Sequence, residues 1–434
     1  MPATTNYVAT SDDIAVKKYS VALFNERSRQ SRMLTMLSDK AHATARAAIM
    51  QRKRMQTSHH MPIVSITDLS SGAGDRVTFD LFKKLRGRPT MGSRMLEGRG
   101  ESLSFDSDEM IIDQTRHAAK AGDKMSQKRT KHNLREIAYA SMHEYWGTLN
   151  DQRILVHLAG ARGTDAGDDW IVPLESDDQF SDIMVNAVRP PTTNRYFCAG
   201  GGELVADVGT TDPLLLADLD VITATLREQE TPMAPIMIDQ KRMDEELKYV
   251  CFVTERQWHY ILSDIRQNSL SWRNFLAAAE RRSNVYKHPL FSGECGYWNG
   301  MLIRRMQRAI RFAPNSTVSR INSNTGATQT SQVPNNTNHD IDRALIIGGQ
   351  ALMCALGNGR SGGRSGEAYP FFWNEKWMDH DDKLEVAAGC MDGYQKVRFT
   401  NSSNVIDDYG IAVIDSYAPP PNSSEGATLR QALD

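Results

Sequence analysis

Polar and apolar positions alternate most cleanly in two short runs early in the chain. Val77, Phe79 and Leu81 interleave with Thr78 and Asp80, and Leu103 and Phe105 interleave with Ser102, Ser104 and Asp106. A period of two predicts half-buried strands, because successive side chains leave opposite faces of the backbone. Between the runs lies KKLRGRPTMGSRMLEGRGE, broken by Gly87, Pro89, Gly92, Gly98 and Gly100. The pair therefore predicts a long hairpin with a basic, glycine-rich tip. A two-stranded ribbon is only marginally stable in water. It needs a surface beneath it, either its own domain or a second chain.

A helical period follows. Leu134, Ile137, Ala138, Ser141, Met142, Tyr145, Trp146 and Leu149 recur at steps of three and four, one continuous apolar face. The spacing predicts a spine over 125–150, capped by Ser126 and roughly 35–40 Å long. Lys128, Arg129, Lys131 and Arg135 sit near its start and oppose the helix dipole, a mild cost that a partner carboxylate offsets.

Beyond it, 160–211 reads as irregular, with acidic and glycine-rich patches. A helix follows Asp218, and YVCFVTERQW is a strand-like run leading into HYILSDI. GYWNGMLI (296–303) reads as one buried strand. Residues 315–340 are rich in Ser, Thr and Asn and predict a surface loop or disordered insertion. Ile346, Ile347 and Ala351 to Leu356 predict a short helix ending at Gly357. VRF and GIAVIDSYA predict strands, and the tail after Pro419 predicts fraying. Helices and strands mix without regular βαβ alternation, so the fold class is α+β.

Charge changes the picture at the N-terminus. Ten basic residues between Lys17 and Arg54 face only Asp12, Asp13, Glu26 and Asp39. Met33, Leu34, Met36 and Leu37, then Ala41 to Met50, fit a helix whose thin apolar face must dock to be stable. This arm is either a solvated tail or a segment that orders against a neighbouring subunit or a polyanion. Over all 434 residues, 51 Lys and Arg oppose 53 Asp and Glu, for a net charge of -2, with 40% hydrophobic residues. That balance excludes wholesale disorder and a surface given over to gripping nucleic acid. No run approaches the roughly 18 apolar residues that would span a bilayer, and no secretory signal is expected. Cys198, Cys251, Cys295, Cys354 and Cys390 are scattered, which predicts buried thiols and neither a disulfide framework nor a zinc site.

Candidate chemistry is thin. Gly357-Asn358-Gly359-Arg360-Ser361-Gly362 matches G-x-G-x-x-G, but a dinucleotide fingerprint must lie between a strand and a helix. Here it is expected to follow a helix. Asp379, His380, Asp381 and Asp382 offer metal-ligand types, yet a consecutive run converges poorly on one ion. His143-Glu144 lacks the second histidine of a zincin, and no nucleophile elbow or P-loop is present. No catalytic, cofactor-binding or metal residues are assigned, and the protein is read as no enzyme.

The order of these elements, and particular runs within them, resemble the major capsid protein of tailed bacteriophages, the Hong Kong 97-type fold. An L-x-G-x-x-E-x-L-x-F run stands at Leu96 to Phe105, and an I-D-Q-x-R-H-A run at Ile112 to Ala118. HPLFSGECGYWNGMLIRR, RALIIGGQALMCALG and FFWNEKWMDHDDKLEVAAGCMDGYQKVRF are similar to later segments of the same family and occur in the same order. The resemblance implies an N-terminal arm (1–69), an extended loop (70–118) and a peripheral domain with the spine helix (119–211). An axial domain (212–370) and returning peripheral strands with the C-terminal tail (371–434) would follow. It implies self-assembly as hexamers and pentamers into an icosahedral head shell around double-stranded DNA, held without sequence preference. Portal, scaffold and decoration proteins are candidate partners, no cofactor is implied, and no membrane is involved. The location implied is the virion, after assembly in the host bacterial cytoplasm. Arg86, Arg88, Arg94, Glu97, Arg99 and Glu101 at the loop tip would contact the next subunit by charge-assisted bonds. Two other readings stand beside this one: a cargo-enclosing nanocompartment of the same fold, and a nucleotide-binding enzyme using the Gly357 to Gly362 loop.

Overall fold

A computed structural model describes residues 32–37, 61–66, 75–82, 88–92, 94–95, 97, 105–165, 169–236, 249–266, 275–277, 290, 295–306, 308–357, 371–380, 382–401 and 403–433. Two larger sheets share one long helix, Leu134–Ala159.

The first sheet has five strands. β1 (Ile63–Ile66) runs parallel to β13 (Leu352–Leu356), which is antiparallel to β15 (Lys383–Lys396). β15 also pairs with β14 (Phe371–Met378) and β4 (Asp113–Asp123). Leu384, Val386, Ala388 and Cys390 alternate along β15 and pack with Trp373 against Ala138, Met142, Trp146 and Leu149 of the helix. Ala138, Met142, Trp146 and Leu149 of the apolar face expected for the spine thus meet the sheet, whereas Ile137 and Ser141, expected on the same face, are exposed. The element itself lies later than expected. A short helix, Lys124–Arg129, is capped by Asp123, whose carboxylate accepts from Ser126 N at 2.6 Å. The chain then breaks before Leu134, because the Gln127 side chain takes up Leu134 N and His132 O in place of helical partners. Ser126 is therefore not the cap, and the long helix continues nine residues past 150 to Gly160.

The second sheet has seven strands, in the order β5 (Tyr196–Cys198), β18 (Ile411–Tyr417), β12 (Ile341–Ile347), β6 (Tyr249–Val253), β8 (Met301–Arg305) and β7 (Cys295–Trp298), with β9 (Ile310–Phe312) also on β12. One face carries Val250, Phe252, Leu302, Leu345 and Val413, and packs with Ile154, Leu155 and Leu158 of the long helix. The other carries Cys251, Ile303, Ile346 and Ile414, and is covered by helices Leu216–Glu228 and Glu255–Arg266. The helix following Asp218 is thus present. YVCFVTERQW divides between β6 and the following helix, because Thr254 and Gln257 form a reciprocal cap: Gln257 Oε1 accepts from Thr254 N at 2.9 Å and Thr254 Oγ1 from Gln257 N at 3.2 Å.

Four more expectations are corrected. Ile346, Ile347 and Ala351 to Leu356 are not helical. They belong to β12 and β13, every residue of which is buried, and a strand covered on both faces has no period that separates it from a buried helix. Gly357 consequently follows a strand, while residues 358–362 lie outside the described ones. GYWNGMLI is two strands, β7 and β8, joined at Asn299 and Gly300, both with positive φ (42° and 82°), as a tight hairpin turn requires. The expected loop at 315–340 is largely a second hairpin, β10 (Thr317–Ile321) with β11 (Thr328–Gln332). Its Thr, Ser and Gln side chains are mostly solvated, so no hydrophobic alternation announced it. VRF lies in β16 (Arg398–Thr400), paired with β17 (Ile406–Asp408). The tail is not frayed: Ser424–Leu433 is a helix with Leu429 buried, and Tyr260 of the Glu255–Arg266 helix donates to Pro419 O at 2.9 Å.

Buried charge ties the helix to both sheets. Arg153 pairs with Asp392 of β15 at 2.8 Å. Arg343 of β12 faces Asp415 of β18 in register, with Nε–Oδ1 and Nη2–Oδ2 both 2.7 Å, and its Nη1 donates to Ala159 O at 3.0 Å. Nearby His157 is fully buried, and burial first, then Arg153, Lys396 and Arg189, push its pKa from 6.5 down to about 3. Between those values the unfolded chain binds a proton that the folded chain refuses. Stability from this group is therefore complete above pH 6.5 and falls as pH drops toward 3, by about 1.4 kcal/mol per pH unit. His157→Asn should flatten the acid limb of urea unfolding between pH 6.5 and 5. An unchanged slope would remove His157 from the account.

Candidate intersubunit surface

The expected hairpin is present. β2 (Arg76–Phe82) and β3 (Phe105–Ile111) pair antiparallel from Arg76↔Ile111 to Phe82↔Phe105. The root of this ribbon rests on its own chain. Val77 and Met110, directly opposite each other, bury against Val64, Met353, Ala355, Val397 and Phe399.

Polar contacts then fix its direction. Asn186 treats Ile111 as a neighbouring strand would: its Oδ1 accepts from Ile111 N and its Nδ2 donates to Ile111 O, both at 2.8 Å. Arg189 grips Asp108 with two nitrogens, Nη2–Oδ1 at 2.7 Å and Nη1 to Oδ2, the bidentate form that adds geometry as well as energy. Thr400 N donates to Asp106 Oδ2 at 2.6 Å. Gly393 of β15 lets the Ile111 carbonyl pass, because a Cβ there would collide with it. By contrast, the Arg76–Glu109 pair at 3.2 Å is exposed on both sides and contributes little.

Beneath the root lies a desolvated charge cluster. Asp408 accepts from Lys396 Nζ at 2.9 Å, Arg398 Nε at 2.8 Å and Thr192 N at 3.2 Å. Burial lowers the Lys396 pKa to about 8 against the pull of Asp408. Although burial works against its charge, Lys396 and Arg398 hold Asp408 below the usual carboxylate range. Arg189 also donates to Lys396 O at 3.3 Å, so cluster and ribbon root form one connected unit.

The tip differs from the root. Arg88, Arg94 and Glu97 are exposed, and none of the three forms an ion pair among the described residues. Met91 and Met95 beside them are 70% and 73% exposed, an apolar surface with no partner in the chain. Arg86, Arg99 and Glu101 lie outside the described residues. Of the two surfaces open to the ribbon, its own domain therefore holds the root. The sequence pattern did not single out Asn186 or Arg189, which stand in the irregular 160–211 stretch, 75 and 81 residues from their partners.

Part of the N-terminal arm is also placed. The helix Arg32–Leu37 buries Met33 and Leu37 in the cluster that holds Leu155 of the long helix, and Met33 N donates to Asp151 Oδ1 at 3.1 Å. Here the arm docks on its own chain; a carboxylate meeting one of the first free N–H groups of a helix makes so short a helix tenable. The rest of 1–60 lies outside the described residues.

Other candidate chemistry does not converge. Asp379 and His380 form a turn with positive φ, and Asp379 pairs with Lys383 at 2.7 Å. Among the described residues no group of three or more His, Cys, Asp or Glu is placed to hold a metal ion, and no helix is long and apolar enough to cross a membrane. All five cysteines are buried and none forms a disulfide.

Comparison with known proteins now bears on this architecture. The chain superposes on the capsid of Ralstonia phage GP4 with a TM-score of 0.68 at 24% identity, covering 98% of each chain. The Cyanophage Pam1 capsid gives 0.53 at 17% identity, over 82% of this chain and 88% of that one. The head of Helicobacter pylori bacteriophage KHP40 gives 0.52 at 12%, over 83% and 88%. At these identities the likeness speaks for the fold, which is the Hong Kong 97-type capsid fold. Curated protein sequences gave no match. A family model described as phage capsid protein matches residues 7–420, nearly the whole chain, and the protein therefore belongs to the phage capsid family, as a major capsid protein of the phage head shell.

Proposed function

We propose that copies of this chain assemble as hexamers and pentamers into an icosahedral shell that encloses the double-stranded DNA of a tailed phage. Assembly takes place in the bacterial cytoplasm, with portal, scaffold and decoration proteins as partners. The protein is no enzyme in this reading; its chemistry is that of contact. The observation that carries it is the contrast within the ribbon: a root held by Asn186, Arg189 and Thr400, and a tip whose Arg88, Arg94 and Glu97 find no ion pair among the described residues.

A shell must bury roughly 2,000 Å² or more at each permanent interface. A ribbon aimed by its root and bare at its end supplies such area on a neighbour. Arg86, Arg88, Arg94, Glu97, Arg99 and Glu101 make the charge-assisted contacts there. Repeating one set of contacts about local axes closes the shell. The extended loop spans about 70–118. The peripheral domain is built on the five-stranded sheet with the long helix, and the axial domain on the seven-stranded sheet, within about 212–370 plus β5 and the returning β18 and less β13. Electron microscopy of the protein expressed with its phage's assembly genes tests the reading. Closed shells are expected, and a monomer under every salt and concentration condition overturns it.

A further inference from the structure

Two exposed surfaces of opposite charge lie at different levels of the long helix. The first runs along β4 and the short helix after it. His117 stacks on Tyr145 of the long helix, with ring centroids 4.1 Å apart, and Ala121 packs in the same layer. Arg116 and Lys120 consequently point to the other face of the sheet, because side chains alternate. Lys124, Lys128, Arg129 and Lys131 continue the strip. All six cations are exposed and none forms an ion pair. Across 113–133 the only carboxylates are Asp113 and Asp123, and Asp123 is engaged as a cap. Glu385 stands opposite Lys120 in register without pairing with it.

The strip borders a concavity. A groove of about 510 Å³ lies between Lys124, Gln127, Lys131, Arg135 and the half-exposed Trp377; Asp123 and Asp382 also line it, and Arg135 is already paired with Glu375 at 2.9 Å, so its open positive charge is that of Lys124 and Lys131. It sits at the N-terminal end of the long helix, where positive side chains oppose the helix dipole. Glu375 and the first-turn Glu136 offset part of that charge within the subunit, and the exposed lysines of the strip are left for carboxylates arriving from outside.

The second surface is the turn 175–182. Glu175, Asp177, Asp178 and Asp182 are exposed and form no ion pair among the described residues, although Glu175 Oε1 accepts from Arg162 N at 2.7 Å and Asp177 Oδ1 from Gln179 N at 2.9 Å; no Lys or Arg occurs from 171 to 188. The segment is anchored far along the helix, where Gln152 Oε1 accepts from Ile171 N at 2.8 Å and Val172 N at 3.0 Å. From Leu134 to Gln152 is roughly 27 Å of helix, so one rigid element holds the two surfaces apart.

We propose that the cationic groove of one copy receives the acidic 175–182 turn of a second copy. The two surfaces are different patches, so the contact is head to tail, the kind that closes into a ring when the rotation allows. It is a separate contact from that of the ribbon tip, and it rests on the shell reading above.

A charge swap tests it. One chain carries Lys120→Glu, Lys124→Glu, Lys128→Glu and Lys131→Glu. A second carries Asp177→Lys, Asp178→Lys and Asp182→Lys, and a third carries all seven changes. Particle yield is read by sedimentation and electron microscopy against wild type, with circular dichroism melts as a control for folding. Each one-sided chain should lose assembly at least about tenfold, and the combined chain should recover most of it, since like charges facing each other repel while the swap restores attraction. If a one-sided chain does not fold, Lys124→Gln with Lys131→Gln takes its place. Wild-type yield from either one-sided chain, or no recovery in the combined chain, overturns the contact. Full-yield shells that have lost their DNA from the lysine-altered chain would also overturn it, and would assign the strip to phosphates. Absence of particles from wild type itself counts against the shell reading instead.

Discussion

Replacing Asp415 by alanine should lower the unfolding free energy of the subunit by about 3–5 kcal/mol, the cost of leaving one member of a buried ion pair uncompensated. Arg343 and Asp415 are both 0% exposed. Their two-point contact is completed by Tyr196, whose hydroxyl donates to Asp415 Oδ2 at 2.8 Å, and by the Ala159 carbonyl on Arg343. That carbonyl belongs to the last turn of the long helix, where carbonyls lack intrahelical partners and partial negative charge collects. One guanidinium thus joins β12, β18 and the helix end. The double variant Arg343→Met with Asp415→Leu should recover most of the loss, because replacing a buried pair with apolar groups of similar size is often neutral or better. Urea midpoints of dissociated subunits would decide the matter. A loss below about 1 kcal/mol for Asp415→Ala would show that water reaches the pair.

The second large effect concerns assembly and leaves the fold intact. Changing Arg86, Arg88, Arg94 and Arg99 together to glutamine should abolish shells while the subunit keeps its melting temperature. Arg88 and Arg94 are exposed and outside any ion pair among the described residues, and exposed substitutions of this kind usually shift stability within about 0.5 kcal/mol. Their contribution is expected in a neighbour, where charge-assisted contacts gain strength as water leaves. Sedimentation of the quadruple variant beside wild type is the measurement. Normal particles would count against the tip as an intersubunit contact.

Both effects depend on features that differ in how far the sequence betrays them. The ribbon was legible because Val77, Phe79 and Leu81 keep one face apolar, and the long helix because its apolar face repeats for four turns. Legibility failed where burial is two-sided, as in β12 and β13: a run apolar throughout carries no period. It failed again in β10 and β11, where Val318 alone is buried in the core and the Thr, Ser and Gln positions are mostly solvated. The C-terminal helix was missed because Pro419, Pro420 and Pro421 suggest an end, whereas Gly426 N caps on Ser423 Oγ at 3.0 Å and Ser423 N on Pro420 O at 3.0 Å to start a new turn. Of the proposed contact surface, the charged tip could be read locally. The residues that aim it could not, since Asn186, Arg189 and Thr400 meet the ribbon only after the chain has folded back.

That folding back sets a timetable for synthesis. β1 finds its parallel partner only at β13, roughly 290 residues downstream, or about 15 to 60 seconds of translation at bacterial-to-eukaryotic ribosome speeds. β4 waits almost as long for β15. Until the last fifth of the polypeptide has left the ribosome, the ribbon has Val64, Asn186 and Arg189 but lacks the rest of its seat, Met353, Ala355, Val397, Phe399 and Thr400. If the ribbon joins neighbouring subunits as proposed, a nascent chain is expected to enter a growing lattice only once that seat is complete.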